Sequence, residues 1–227
     1  MAAPVVTDAP GPVLVLGGGQ GIGAAVAAAY PRQAVVWTRR TGVDAADPAS
    51  LAAAFAAFER THGAPYALVH TVGDFAERPL LGTDLPTWRH MFASNVDTAF
   101  HAAQAIVPAM VRARRGRVVL FAAAGVDKDR GMLRAPAYFA AKAALVQLAR
   151  SLALETAPAG VTVNVVAPGL IDHPHSHRDS QARMLPRVPA GRLGHVDDVT
   201  AIVRYLLSDA GAYVTGQVLT VDGGLQA

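Results

Sequence analysis

Short runs of aliphatic residues alternate with longer helix-like segments along almost the whole chain. The run "PVLVLGG" (residues 12–18) precedes "GIGAAVAAAYPR", and "AVVWT" (34–38) precedes "DPASLAAAFAAFERTHG". Runs of β-branched and leucine residues that end in glycine are typical of buried parallel strands. Strands that alternate with helices of ten or more residues predict a parallel sheet covered on both faces, with right-handed crossovers. The expected fold class is therefore a doubly wound, three-layer α/β structure.

The rest of the chain continues this alternation. A long helix is expected at 86–116, with a bend near Pro108, because proline disturbs a helix interior. Only "RRTG" separates the second strand from "VDAAD", where many such folds insert a helix and another strand. One edge strand is therefore expected to be short or missing. The other expected elements are strands at 66–73, 117–125, 161–169 and 217–224, and helices at 138–156 and 196–208.

Composition limits the class of protein. A chain of 227 residues suits one α/β domain, expected at 11–227 after a flexible N-terminus at 1–10. Apolar residues make up 52% and charged residues 16%, which permits a large core and favours an oligomer. The absence of cysteine excludes disulfides and thiol chemistry. No stretch has the pattern of a secretory signal or a membrane span, so the cytoplasm is the expected location.

The net charge raises the question of nucleic-acid binding. It is +3, with a pI of about 9.6. The basic residues are scattered apart from "RRT" and "RARRGR", and no aromatic residues are interleaved with them. A charge excess alone is a weak signal. Neither a nucleic acid nor a membrane is expected as a partner.

The stretch "LGGGQGIG" (16–23) lies between the first strand and the first helix, where a phosphate-binding turn belongs. Glycines let the backbone approach a pyrophosphate, and the N–H groups and dipole of the following helix attract its charge. The alternative is a tight packing turn without a ligand. The candidate cofactor-binding residues of this turn are Gly17, Gly19, Gln20, Gly21, Ile22 and Gly23.

Several motifs together resemble the short-chain dehydrogenase/reductase family. Three residues separate Gly17 from Gly21, and Lys142 follows Tyr138 by four positions. The other matching features, in the family's order, are Asn95 on the long helix, "VNVVAPG", "PAGRLGHVDDV" and "TGQVLTVDGG". The resemblance covers nearly the whole chain. It implies a Rossmann-type fold that binds a nicotinamide dinucleotide.

The resemblance implies roles for three side chains. Tyr138 would exchange a proton with the substrate while the nicotinamide transfers hydride. Lys142, one helical turn along, would lie on the same face, lower the pKa of the tyrosine and contact the nicotinamide ribose. Asn95 would hold a water in a proton relay. The alternative for an isolated pair of this spacing is an interfacial tyrosine and a snorkelling lysine.

The position that best matches the family's catalytic serine is Ala123, in "LFAAAG". Loss of one preorganised donor can cost about two to three orders of magnitude in rate. In one explanation, Ser94, Thr71 or the charged loop "DKDR" (127–130) replaces the donor. In a second, the substrate needs none: the chain is similar to quinonoid dihydropteridine reductases, which have alanine there and reduce a conjugated C=N system. In a third, the chain binds a cofactor without turnover.

The resemblance also assigns residues to the nicotinamide side of the site. The family's Asn-Asn-Ala-Gly appears here as His70-Thr71-Val72-Gly73, which keeps a close turn at Gly73 and changes the polar supports. The candidate cofactor-binding residues on this side are Val72, Gly73, Lys142, Pro168, Gly169 and Ile171.

The end of the second strand favours NADPH over NADH. An NAD site has a carboxylate there to bind the ribose hydroxyls, but this chain has Thr38 followed by Arg39 and Arg40. A guanidinium pairs well with a 2′-phosphate. The alternative is that both arginines only face water. Asp44 resembles the family aspartate that receives the adenine amino group.

Three alternating histidines, His173, His175 and His177, occupy "LIDHPHSHRDS" (170–180). Metal ligands on a strand can show this spacing, but Pro174 intervenes and no carboxylate or cysteine pattern completes a site. The resemblance places a mobile substrate lid here, so a lid and no metal are expected. Substrate specificity is expected to depend on this lid and on the loops at 73–85 and 125–136.

These observations predict an NADPH-preferring reductase that acts on a carbonyl or conjugated C=N group of a small molecule. A homodimer or homotetramer is expected, with the long helix and the Tyr138 helix at its interfaces. The alternative is a cofactor-binding or sensing protein without catalysis.

Overall fold

The structure, a computed structural model, describes residues 9–128, 131–173 and 178–227. Six strands form one parallel sheet in the order β2-β1-β3-β4-β5-β8. These strands are β1 (Val13–Leu16), β2 (Ala34–Trp37), β3 (Ala67–His70), β4 (Gly116–Phe121), β5 (Val161–Pro168) and β8 (Val218–Val221). The doubly wound α/β class expected from the sequence is confirmed.

Helices connect successive strands. They are α1 (Gly21–Ala29), α2 (Pro48–His62), α3 (Leu85–Phe92), α4 (Thr98–Arg112), α5 (Pro136–Thr156), α6 (Arg178–Met184) and α7 (Val196–Leu207). Asp47 caps α2, because its Oδ1 accepts a hydrogen bond of 2.9 Å from the N–H of Ala49. No helix within the described ranges is long and apolar enough to cross a lipid bilayer.

Alternate residues of the strands feed two cores. On one face, Leu14, Leu16 and Leu68 pack with Ile106 of α4 and Leu145 of α5. On the other face, the strand residues Val13, Val15 and Val69 pack with Val26 of α1 and with Val199 and Val203 of α7. The two-residue period of a strand sends successive side chains to opposite faces, so a sheet buried on both sides must be apolar throughout.

The short connection after β2 explains why the sheet ends at β2. A single 3-10 turn, Arg39–Thr41, follows β2, and the chain then enters α2. β2 therefore pairs only with β1 in the described sheet. The expectation of a missing edge strand is confirmed.

The long helix departs from α geometry at a different place from the one predicted. Pro108 lies inside the regular helix α4. The departure is a π-helical segment, Ala93–Asp97, which joins α3 to α4 and contains Asn95. π segments are rare and often occur at functional sites.

The segment after β5 contains structure that the sequence pattern did not reveal. Two short strands, β6 (Ile171–Asp172) and β7 (Gly194–His195), pair in parallel, and α6 lies between them. The lid predicted here thus includes a helix in its described part.

Candidate active site

A central cleft of about 1270 Å³ opens where the strands of the sheet end. The chain passes from β1 to β2 on one side and then to β3 on the other side of β1, so the strand order reverses at β1. Open α/β sheets bind dinucleotides at such a reversal, and the cleft lies there. The cleft brings together all the predicted site residues that the structure describes. They are Gly17, Gly19, Gln20, Gly21, Ile22, Gly23, Arg39, Arg40, Asp44, Val72, Gly73, Asn95, Tyr138, Lys142, Pro168, Gly169, Ile171 and His173.

The glycine turn has room for backbone only. Gly17 has φ +87°, and a Cβ atom there would lie 2.7 Å from Oγ1 of Thr71. A Cβ atom at Gly23 would lie 2.5 Å from the same hydroxyl oxygen and 2.8 Å from the carbonyl oxygen of Gly17. The first N–H groups of α1, which begins at Gly21, have no partner within the helix. The turn therefore fits a bound phosphate, which such N–H groups attract.

The adenosine end of the cleft is basic. The Arg40 guanidinium lies beside the glycine turn: a Cβ atom at Gly19 would be 3.0 Å from its Nη2. Reciprocal bonds between Thr38 and Thr41 fix the 3-10 turn that carries Arg39 and Arg40. Neither arginine forms an ion pair within the described part of the chain. Free guanidinium groups at this position fit a 2′-phosphate.

Asp44 lines the same end, after the turn that carries the arginines. Its N–H donates to Oγ of Ser50 at 3.0 Å, and its Oδ1 accepts from the N–H of Ala46 at 3.0 Å. One carboxylate oxygen is thus held by the backbone. The other is available to accept a bond from a ligand in the cleft.

Lys142 is buried at the bottom of the cleft on α5. Its Nζ donates to the carbonyl oxygen of Phe121 at 2.8 Å. Burial lowers the pKa of this amine to about 7, because removal from water disfavours the charged form. The hydrogen bond at the end of β4 fixes the amine and leaves its other N–H bonds for the cleft.

Tyr138 lies one helical turn before Lys142, and the Lys142 Nζ is 5.7 Å from the centroid of its ring. The two side chains share a face of α5, as predicted. Burial raises the pKa of Tyr138 to about 12, opposite to the expected lowering by lysine. In this structure desolvation outweighs the attraction of an amine whose own charged form is disfavoured.

Asn95 lines the same cleft and is fully buried. Its Nδ2 donates to the carbonyl oxygens of Asp74 and Met91 at 2.9 and 3.0 Å, and its Oδ1 has no partner. A Cβ atom at Gly73 would meet this oxygen and would lie 3.2 Å from Nζ of Lys142. The bare backbone of Gly73 therefore separates Asn95 from Lys142, and a buried oxygen that lacks a donor points to a missing ligand or water.

Ala123 lines the cleft after β4 and offers no polar group. The hydroxyls considered as replacement donors are already engaged. Ser94 Oγ donates to the carbonyl oxygen of His90 at 2.8 Å, and Thr71 Oγ1 donates to that of Leu16 at 2.9 Å. Of the charged loop, Asp127 and Lys128 do not line the cleft, and residues 129 and 130 lie outside the described residues.

His70, at the end of β3, is a buried polar residue to which the sequence analysis gave no role. Only 1% of its surface is exposed, and its Nε2 has no hydrogen-bond partner. Burial lowers its pKa to about 3, and the charge of Lys142 acts in the same direction. The sequence identified His70 only as a change from the family's asparagine. Its burial beside the lysine depends on the packing of α4 and α5.

The predicted histidine lid is described only in part. His173 lines the cleft at the glycine turn: a Cβ atom at Gly21 would lie 3.6 Å from its Nδ1. His175 and His177 lie outside the described residues. Among the residues that the structure describes, no group of three or more histidine or acidic side chains could hold a metal ion.

The end of the cleft beyond Tyr138 is the part expected to bind the substrate. The sequence indicated the loops that form it but not the individual residues. The ring of Phe75 lies edge-on to Tyr138, with the centroids 5.0 Å apart. Further side chains that line the cleft and are assigned to this end are Asp74, Glu77, His90, Met132, Leu133, Arg134, Phe139, Met184 and Arg187. A long cleft with a polar, glycine-rich end and an apolar, charged-rimmed end can hold a dinucleotide beside a second small molecule.

Comparisons with known proteins agree with this geometry. A family model described as enoyl-(acyl carrier protein) reductase matches residues 19–226. The chain is 37% identical over 196 residues to inactive 2-(S)-hydroxypropyl-CoM dehydrogenase 2 of Xanthobacter autotrophicus, covering 82% of this chain and 84% of that one. It is 34% identical over 183 residues to 3-oxoacyl-(acyl-carrier-protein) reductase FabG of Escherichia coli, covering 79% and 74%.

A solved structure also matches. A short-chain type dehydrogenase/reductase from Mycobacterium ulcerans superposes with a TM-score of 0.87 at 26% identity, over 97% of this chain and 91% of that chain. The chain belongs to the short-chain dehydrogenase/reductase family. Its relatives are oxidoreductases, and the family expected from the motifs is confirmed.

Proposed function

We propose that this chain is an NADPH-preferring oxidoreductase that transfers hydride to a carbonyl or conjugated C=N group of a small molecule. The observation that carries the proposal is that Tyr138 and Lys142 share one face of α5 in the cleft that also contains the glycine turn. An acid–base pair and a phosphate-binding turn in one cleft are what hydride transfer with proton transfer requires.

The residues present fit a nicotinamide dinucleotide phosphate. The turn at Gly17 admits no Cβ atom, and the start of α1 offers free N–H groups to a pyrophosphate. Arg40 beside the turn would hold a 2′-phosphate, with Arg39 next to it. Asp44 would accept from the adenine amino group. When bound, NADPH supplies the hydride.

The chain's own groups would handle the proton. With a pKa of about 12, Tyr138 carries its proton at neutral pH, which suits it to donate to a substrate oxygen or nitrogen that gains charge. Lys142, fixed by Phe121, would bind the nicotinamide ribose and return a proton to the tyrosine after each turnover. Asn95 Oδ1 would accept from a water that connects this pair to solvent.

The alanine at position 123 bears on the choice of substrate. We propose that Ala123 occupies the position of the family's catalytic serine. Because Ser94 and Thr71 donate to backbone carbonyls, neither supplies the missing bond as the side chains stand. A conjugated C=N group, whose developing charge is delocalised, depends less on such a donor than a simple ketone does.

The absence of a donor also favours a second candidate function, that of a protein that binds the dinucleotide without turnover. One relative carries the word "inactive" in its name. In that case the cleft would sense the cofactor, and substitution of Tyr138 would have no turnover to reduce.

The substitution Tyr138→Phe separates the two functions. Purified protein is titrated with NADPH and NADH by fluorescence, and NADPH oxidation is then followed with ketones, quinones and quinonoid dihydropterin. An oxidoreductase loses most of its turnover in Tyr138→Phe and keeps its NADPH affinity, because only the proton donor is removed. Tyr213→Phe, fully exposed on the surface, is the matched control. Binding without turnover on any substrate class supports the second function, and absence of binding contradicts both.

The assembly is part of the same proposal. Phe100 on α4 and Leu154 on α5 are 48% and 81% exposed, and these are the helices expected at the interfaces of a homodimer or homotetramer. A cytoplasmic location stays a prediction.

A further inference from the structure

The end of the cleft beyond Tyr138 carries more positive than negative side chains. The ionisable groups that line it are Asp74, Glu77, His90, Arg134 and Arg187. Arg183 belongs to this set because it contacts Glu77. Two carboxylates thus face three guanidinium groups. The net charge is one positive when His90, which lies 2.8 Å from Asp74, is neutral, and two when it is protonated.

Glu77 is shared between two arginines. Its Oε1 accepts from Nη1 of Arg134 at 3.3 Å and from Nη2 of Arg183 at 2.9 Å. These bonds connect the loop after β3, the loop before α5 and the helix α6. One carboxylate cannot neutralise two guanidinium groups, so this contact leaves a positive charge at the rim of the cleft.

Arg187 is a further guanidinium of this end that forms no ion pair with a described carboxylate. It ends the 3-10 turn Leu185–Arg187 that follows α6, and it lines the cleft. Its Nη1 lies 3.8 Å from the sulfur of Met184, and no carboxylate of the described residues lies within ion-pair distance. A guanidinium at the rim of the cleft, engaged only with the sulfur of Met184 among the described residues, has further N–H groups suited to bind an anion.

Apolar side chains also line the cleft that these charges share with Tyr138. Phe75, Met132, Leu133, Phe139 and Met184 line this part of the cleft. A ligand that places its reacting carbonyl at Tyr138 would therefore lay an aliphatic body along these side chains. Its other end would reach the arginines.

We propose that the substrate is a small ketone or its C=N analogue whose far end carries an anionic group, and that Arg187, helped by Arg134, binds that group. This inference rests on the proposed function and names its substrate class. The anion is bound and is not chemically changed. A neutral analogue of the same size keeps the apolar contacts and loses the charged one.

The first test compares matched acids and esters. NADPH oxidation is followed with levulinate and methyl levulinate, and with acetoacetate and methyl acetoacetate. We expect kcat/KM for each acid to exceed that of its ester by about tenfold or more, and the difference to shrink as salt is added. In Arg187→Gln, kcat/KM should fall about tenfold or more for the acids and stay unchanged for the esters. Arg115→Gln, which is exposed at the opposite end of the sheet before β4, changes neither.

The second test measures binding without turnover. Levulinate is titrated calorimetrically into protein saturated with NADP⁺. Its Kd should rise about tenfold in Arg187→Gln and recover in part in Arg187→Lys, which keeps the charge but not the paired donors. Levulinate binding that depends on Arg187 supports the anion site even if no substrate turns over, an outcome that contradicts only the proposed function. Equal kcat/KM values for acids and esters, or no levulinate binding, would overturn the inference. The proposed function would still stand in that case if any ketone supports NADPH oxidation.

Discussion

The Nζ atom of Lys142 lies 5.7 Å from the centroid of the Tyr138 ring and is held there by the carbonyl oxygen of Phe121. Burial moves the two pKa values apart, to about 7 for the amine and about 12 for the phenol. At neutral pH the phenol therefore holds its proton while the amine exchanges one. Such divergence within a close pair is typical of groups that divide acid and base roles.

The first prediction concerns the cost of burying Lys142. Its folded pKa lies below the unfolded value of 10.5, so between about pH 7 and pH 10 the unfolded chain binds a proton that the folded chain lacks. The free energy of unfolding should therefore rise with pH in this window, by up to about 1.4 kcal/mol per pH unit. In Lys142→Met this contribution should be absent.

The measurement is urea unfolding of both proteins between pH 7 and 9 at one protein concentration, because an oligomer's stability depends on concentration. The window ends before tyrosines titrate. The slope against pH should be smaller in Lys142→Met, while NADPH oxidation is lost. Parallel slopes would show that the amine is charged in the folded protein and would contradict the assignment.

The second prediction concerns Ala123. A serine there would place a hydroxyl in the cleft that contains Tyr138, where charge would develop on a ketone oxygen. We expect Ala123→Ser to raise kcat/KM toward simple ketones by up to about two to three orders of magnitude, the reverse of the loss that removal of such a donor causes. Ala140→Ser, on α5 and outside the cleft, is the control for adding a hydroxyl. No gain would contradict the view that a missing donor limits the reaction with ketones.

The fold could be predicted because its signals are local. The buried strands read as continuous apolar runs, and glycine positions mark where a Cβ atom has no room, as at Gly17 and Gly23 beside the hydroxyl of Thr71. The four-residue spacing of Tyr138 and Lys142 places them on the same face of a helix, wherever that helix packs on the sheet. These features depend on few neighbours in the sequence, so the sequence pattern was enough.

Other features of the site depend on distant contacts and could not be predicted. The π segment around Asn95 has no periodic signature, because one inserted residue barely changes the apolar pattern. The raised pKa of Tyr138 follows from how deeply α5 packs, which spacing does not show. Likewise, the sharing of Glu77 by Arg134 and Arg183 joins two loops and the helix α6, which are separated in sequence.

The third prediction concerns cofactor choice. The guanidinium of Arg40 lies beside Gly19, and Arg39 precedes it on the same 3-10 turn. We expect Arg40→Gln to weaken NADPH binding about tenfold or more and to leave NADH binding unchanged, because a charge-assisted bond to the 2′-phosphate is lost. Arg39→Gln, one position away on the same 3-10 turn, should have the smaller effect. Fluorescence titration of all three proteins with both cofactors is the measurement, and an equal loss for NADPH and NADH would contradict the assignment.

The fourth prediction concerns acid stability. His70 is buried, with a folded pKa of about 3 against 6.5 in the unfolded chain. As the pH falls from about 6.5 toward 3, the unfolded chain gains a proton that the folded chain cannot accept, so folding stability is lost over this window. The loss is on the order of 5 kcal/mol if the histidine stays neutral throughout. His70→Asn, which introduces the residue that the family has here, removes this titration.

Urea unfolding at fixed pH values between 7 and 4 measures the effect. The free energy of unfolding of the unmodified protein should fall more steeply with acidification than that of His70→Asn, whatever the two values are at pH 7. His62→Asn, at an exposed position near the end of α2, is the control and should keep the steep dependence. If His70→Asn loses stability with acid as steeply as the unmodified protein does, the buried imidazole takes up its proton without unfolding. Its orphaned Nε2 would then have a partner in solution, such as a water that connects it to Lys142.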